Sequence, residues 1–162
     1  MSVIEERIHS LGIILPDTSF PPNEHANALY QAHVQPYYRV GDILFLAGQV
    51  PMRGKEELYK GRYGLNLTAD DGYKAARQCA INALADMKYA LGDLDRVEHI
   101  IRLECFINAT PEFTEHPKVG NGASDLLIEV FGERGRHTRA SVGVTGMASG
   151  HSIETLLTVH VR

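Results

Sequence analysis

The sequence predicts an α+β domain, with a mostly antiparallel sheet, two main helices on one of its faces and a short N-terminal helix. Three observations lead there. A long amphipathic stripe runs from Thr68 to Gly92, a Val- and Ile-rich run spans Val97–Ile107, and the elements follow in the order β-β-α-β-α-β-β. At 162 residues the chain fits one domain, since domains most often run about 100–150 residues. Its parts are an N-terminal helix and arm over 1–34 and a core over 35–162.

Val3, Ile4, Ile8 and Leu11 are spaced as one helical stripe and Gly12 is a natural stop, so 2–11 reads as a short helix on the main body. Residues 16–36 hold Pro16, Pro21, Pro22 and Pro36 and read as an extended surface arm. Tyr37–Val40 and Ile43–Ala47 are two strands joined by the short turn Gly41-Asp42. Residues 51–67 read as a long loop.

Thr68, Asp70 and Asp71 form an acidic helix start that suits the positive end of the helix dipole. Tyr73, Ala76, Ala80, Leu84, Met87 and Leu91 then recur at three- and four-residue steps until Gly92. In the central strand, Ile101, Leu103, Cys105 and Ile107 are expected on one face, and Ala109-Thr110-Pro111 ends it. Val119, Ala123, Leu126, Leu127, Val130 and Phe131 make a second helical stripe closed by Gly132. Ser141–Met147 and Ile153–Val161 are expected to form a C-terminal hairpin, with Ser149-Gly150 near its turn.

Composition narrows the function classes. A 44% hydrophobic and 22% charged share is that of a folded protein. The net charge of -4 lacks the basic surplus with which nucleic-acid binders neutralise phosphates. No uncharged apolar run approaches the ~20 residues that span a bilayer. Cys79 and Cys105 form no C-x-x-C pair, so both are expected as free thiols in a reduced, cytoplasmic setting. No dinucleotide fingerprint, phosphate-binding loop, nucleophile elbow or paired-histidine zinc motif occurs. The eight histidines are scattered singly, without helix-face pairing for a metal. Asp70-Asp71 could be an acid/base pair or simply a helix start. The basic run Arg134–Arg139 could equally be a solvated loop.

Two segments add to this reading. Gly41-Asp-Ile-Leu-Phe-Leu-Ala-Gly-Gln-Val-Pro51 is an apolar strand running into a G-Q-x-P loop. Arg139-Ala-Ser141 is followed, fifteen residues after the arginine, by Glu154 in Ser-Ile-Glu-Thr. Together they resemble the signatures of the YjgF/Rid family, the reactive intermediate deaminases that also carry the label endoribonuclease L-PSP. Phe113–Arg139 and the helix ending Leu11-Gly12-Ile13 resemble a longer-chain subgroup. The resemblance implies a chorismate-mutase-like fold and a homotrimer with clefts between subunits. It implies a hydrolase that converts enamines and imines of small 2-oxo acids to the 2-oxo acid and ammonia, with neither metal nor organic cofactor.

Carried over by position, Arg139 binds the substrate carboxylate and Glu154 positions or polarises the attacking water. Ser141 and Gly48 line the pocket and Asn121 adds a polar wall. A planar guanidinium grips a carboxylate through two parallel hydrogen bonds, which lysine cannot do. The alternative for Arg139 and Glu154 is an ion pair bridging two strands. The alternative function is a module that binds a small carboxylate metabolite without turnover; a third, ribonuclease activity, sits poorly with the acidic balance. Where the family has serine before Gly48, this chain has Ala47. A pocket tyrosine falls at Val34, with Tyr30, Tyr37 and Tyr38 nearby, and a frequent cysteine is Ser141.

Overall fold

A computed structural model describes residues 2–17 and 35–162. Most of the predicted arm over 16–36, with Tyr30 and Val34, lies outside the described residues.

Helix α1 (Val3–Ser10) begins at Ser2, whose hydroxyl accepts from the Glu5 N–H. It is eight residues long, too short to hold itself in water. The body supplies the rest. Both oxygens of Asp95 accept N–H groups of its first turn, from Val3 and Ile4 at 2.9 Å each. Ile4 and Ile8 are buried beneath it, and Glu5 pairs with Lys88.

Strands β1 (Tyr37–Val40) and β2 (Ile43–Leu46) form the predicted hairpin through Gly41-Asp42. Inside the predicted loop over 51–67, β3 (Met52–Arg53) and β4 (Glu56–Glu57) make a small separate hairpin. Helix α2 (Ala69–Leu91) starts on a capping box in which Thr68 Oγ1 accepts from the Asp71 N–H while Asp71 accepts from the Thr68 N–H. That assigns Asp71 to the helix start. Gly92 ends the helix in the left-handed region, at φ 73°.

Strand β5 (Val97–Asn108) leads to α3 (His116–Phe131), which carries Pro in its first turn, and then to β6 (Thr138–Val144) and β7 (Ile153–Val161). The five long strands form one sheet in the order β1-β2-β7-β5-β6.

Two expectations need correction here. β6 and β7 are not a hairpin, because β5 lies between them and pairs antiparallel with β7 and parallel with β6. The twelve-residue β5 offers both its edges, and α3 supplies the crossover that a parallel pair requires. Ile101 does not share a face with Leu103, since a bulge between Ile100 and Arg102 shifts the alternation and buries Ile100 instead.

Helices α2 and α3 cover one face of the sheet. They approach closely because small residues meet: a Cβ on Gly122 would stand 1.8 Å from the Tyr73 carbonyl oxygen. The predicted stripes of both helices are buried, except that Tyr73 reaches across to donate to Asp125 at 2.8 Å. Cys79 and Cys105 are buried free thiols in this core. Burial pushes the Cys105 thiol up to about 11 and raises the Cys79 thiol well above its usual value. Among the described residues, no element covers the opposite face of the sheet. Tyr38, Val40, Phe45 and Val142 stand 63%, 57%, 47% and 46% exposed on it, too apolar a surface to be idle.

Candidate functional site

The sheet sorts the predicted site residues into two groups. Cys105 is paired with Ser141 on β6 and with Thr155 on β7, so these three share the helix-covered face. Arg139, two residues before Ser141, projects to that same face. Glu154 precedes Thr155 and projects to the open face. Within one chain, Arg139 and Glu154 therefore do not meet, and no ion pair joins them among the described residues.

The first group is built on α3 and β6. Arg139 lies inside β6, one residue after its start. Its Nη1 donates to Asn121 Oδ1 and to Ser124 Oγ, both at 2.9 Å, and Nη2 donates to the Pro117 carbonyl at 3.2 Å. Three of the five guanidinium N–H groups are thus held. Nε–H and one Nη2–H keep no acceptor among the described residues. Gly120 makes room for it: a Cβ there would stand 3.2 Å from Arg139 Cζ and 2.5 Å from Ser141 Oγ. The Ser141 hydroxyl is buried without a nitrogen or oxygen partner, beside the Cys105 thiol.

The second group is built on the loop after β2 and on β7. Gly48 has the Glu154 carboxylate where a side chain would be, with Oε1 1.8 Å from the position of a Cβ. Glu154 is half-buried and has no hydrogen bond or ion pair among the described residues. A backbone bridge between Gln49 and Thr155 holds loop and strand together, at 2.8 and 2.9 Å. The Gln49 side chain is turned to Asp86 on α2, to which it donates at 2.7 Å. The tyrosines near the second group diverge: Tyr37 packs edge-on against Tyr89 of α2, while Tyr38 stands on the open face.

Two residues of the first group were not foreseen. Ser124 lies three positions after Asn121 and therefore on the same face of α3, a spacing that could have signalled it. His137 accompanies it, with Nε2 2.9 Å from Ser124 Oγ and Nδ1 2.6 Å from the Gly135 carbonyl. Burial lowers the His137 pKa below the usual histidine value, and the charges of Arg139 and His99 act in the same direction. Among the described residues, no three His, Cys, Asp or Glu side chains converge as a metal centre would need, and no helix is long and apolar enough to cross a membrane.

Comparison with known proteins agrees with this architecture. The family described as "YjgF/chorismate_mutase-like, putative endoribonuclease" matches residues 7–154. "Protein TCP17" of Trypanosoma cruzi is 38% identical over 152 residues, covering 93% of this chain and 89% of that protein. The crystal structure of a "putative endoribonuclease" from Shewanella oneidensis MR-1 superposes with a TM-score of 0.88 at 34% identity, covering 99% of this chain and 100% of the other. RidA from the Antarctic bacterium Psychrobacter sp. PAMC 21119 shares the fold at a TM-score of 0.56 and 17% identity, covering 82% of this chain and 91% of its own.

Proposed function

Because this chain belongs to the YjgF/chorismate-mutase-like family, to which the Rid proteins also belong, we propose that it hydrolyses enamine and imine intermediates of small 2-oxo acids in clefts between the subunits of a homotrimer. One observation carries the reading. Arg139 is held by three hydrogen bonds to α3 with two of its N–H groups left over, while Glu154 sits unpaired on the other face of the sheet. Two half-sites on opposite faces can serve one ligand only when different copies contribute them. The apolar face that no described element covers, with Phe45 and Val142, supports such an assembly.

In this scheme the two free N–H groups of Arg139 take the substrate carboxylate, and Asn121 and Ser141 wall the pocket. Gly48 of the next copy lets its Glu154 stand close to the imine carbon. Water adds across the C=N bond as Glu154 accepts its proton. That proton passes from Glu154 to the carbinolamine nitrogen, Glu154 then takes the hydroxyl proton as the C–N bond breaks and the C=O bond forms, and ammonia and the 2-oxo acid leave. Fixing the carboxylate relative to one water is worth several kcal/mol on general grounds.

The reading is tested by generating a 2-imino acid in situ with an amino-acid oxidase and following its decay with and without the protein. Faster decay is expected. Unchanged decay, together with tight binding of a 2-oxo acid, favours the second reading, carriage of a carboxylate metabolite without turnover. That second reading draws on the preorganised Arg139, whose grip does not depend on Glu154. Ribonuclease activity, the label borne by several relatives, gains nothing from a chain with 16 basic and 20 acidic residues.

A further inference from the structure

Behind Arg139 runs a row of hydrogen bonds whose directions follow from valence once the His137 ring is uncharged. The Gly135 carbonyl can only accept, so its 2.6 Å contact with His137 Nδ1 places the imidazole proton on Nδ1. The uncharged ring then presents a lone pair at Nε2, and Ser124 Oγ, 2.9 Å away, must donate its hydrogen there. That fixes the serine hydroxyl, which would otherwise rotate, and turns its lone pairs toward Arg139 Nη1 at 2.9 Å. Burial is the largest influence and favours the uncharged ring, as do the neighbouring Arg139 on β6 and His99 on β5; the hydrogen bond to the Gly135 carbonyl opposes them without reversing the direction. The relay reads in one direction: Arg139 to Ser124, Ser124 to His137, His137 to the Gly135 carbonyl.

We infer that Ser124 and His137 are positioning residues, a relay that fixes the Arg139 guanidinium so that its unheld Nε–H and Nη2–H are left for a carboxylate. This rests on the carboxylate-binding reading of Arg139. Asn121 and the Pro117 carbonyl both hold the guanidinium from the exposed start of α3, where water competes for each contact. Ser124, itself buried, adds a third acceptor at a fixed angle, and His137 keeps that acceptor from turning into a competing donor. The Ser124 oxygen is engaged on both sides, which suits a strut and not a nucleophile.

Three full-length variants test it. His137→Gln keeps an acceptor near the place of Nε2, His137→Leu keeps bulk without one, and Ser124→Ala removes the middle of the relay. The ligand-free proteins are compared by NMR of the arginine side chains, where a clamped guanidinium gives separate Nη proton signals. Those of Arg139 are expected in the wild type and in His137→Gln, and to merge in His137→Leu and Ser124→Ala. Titration with 2-oxobutanoate is expected to show about tenfold weaker binding in the latter two, the loss of roughly one hydrogen bond to a charged group, with His137→Gln near the wild type. Unchanged Nη signals and unchanged affinity in Ser124→Ala and His137→Leu would overturn the relay. A wild type that binds no 2-oxobutanoate, with Nη signals that still merge in Ser124→Ala, would overturn the carboxylate reading and leave the clamp standing.

Discussion

Glu154 occupies the space that any side chain at Gly48 would need: a Cβ built on the glycine falls 1.8 Å from Oε1 and 2.6 Å from the carboxyl carbon. The glycine is required by close approach and not by its backbone, since its φ is not among the positive ones. Gly48→Ala should therefore push the carboxylate aside at little cost to the fold, under about 1 kcal/mol, because the far end of a flexible chain can turn away. Imine decay should slow by at least about tenfold while 2-oxobutanoate affinity stays within about threefold, a split that the transition-state role of Glu154 requires. Paired rate and titration measurements check it.

Arg139→Lys keeps the charge and loses the fork. Carboxylate affinity should fall by about ten- to a hundredfold, the equivalent of roughly 1.5–3 kcal/mol for a charge-assisted pairing. Calorimetric titration with 2-oxobutanoate decides it, and equal affinity in both proteins would return Arg139 to a purely structural role.

The lowered pKa of His137 has a sign that can be worked out. As pH falls through the ordinary histidine value of ~6.5, the unfolded chain takes up its proton first, so the unfolded state gains. The contribution is complete above ~6.5 and is lost progressively as pH falls toward the lower, folded-state pKa. Denaturant unfolding between pH 7 and 5 should show a steeper loss for the wild type than for His137→Gln. Parallel curves would contradict the assignment.

The sheet face that no described element covers makes the assembly testable by itself. Phe45→Glu places a charge beside Tyr38 and Val40, on the same open face as Val142. It should convert a trimer into monomers in light scattering while thermal unfolding remains cooperative. A wild type of monomer mass at micromolar concentration would remove the shared-cleft scheme altogether.

What was readable in the sequence, and what was not, follows the range of the interactions. The stripes of α2 and α3 were visible because 3.6-residue periodicity is local, and Thr68 with Asp71 announced its own helix start. The partner of β6 was invisible: Val142 and Val144 alternate in the same way whether the neighbour is β7 or β5, and only the position of α3 decides. The bulge at Ile100–Arg102 hid likewise, because Ile100 and Ile101 are chemically alike and packing alone chooses which is buried. At the site, Arg139, Asn121, Ser141, Gly48 and Glu154 were named beforehand. Their division between two faces required the strand register, and Ser124 and His137 acquire meaning only once α3 lies across β6.

The carboxylate that caps α1 has an implication for the order of events during synthesis. Val3 and its acceptor Asp95 are 92 residues apart. At a ribosomal rate of about 5–20 residues per second, α1 leaves the tunnel roughly 5–20 s before its cap exists. For that interval an eight-residue segment has too few turns to hold a helix. Its docking is therefore a closing event, available only after the turn over Leu94–Arg96 has been translated, so that protease resistance near Ile4 and Ile8 would date the completion of the nascent core.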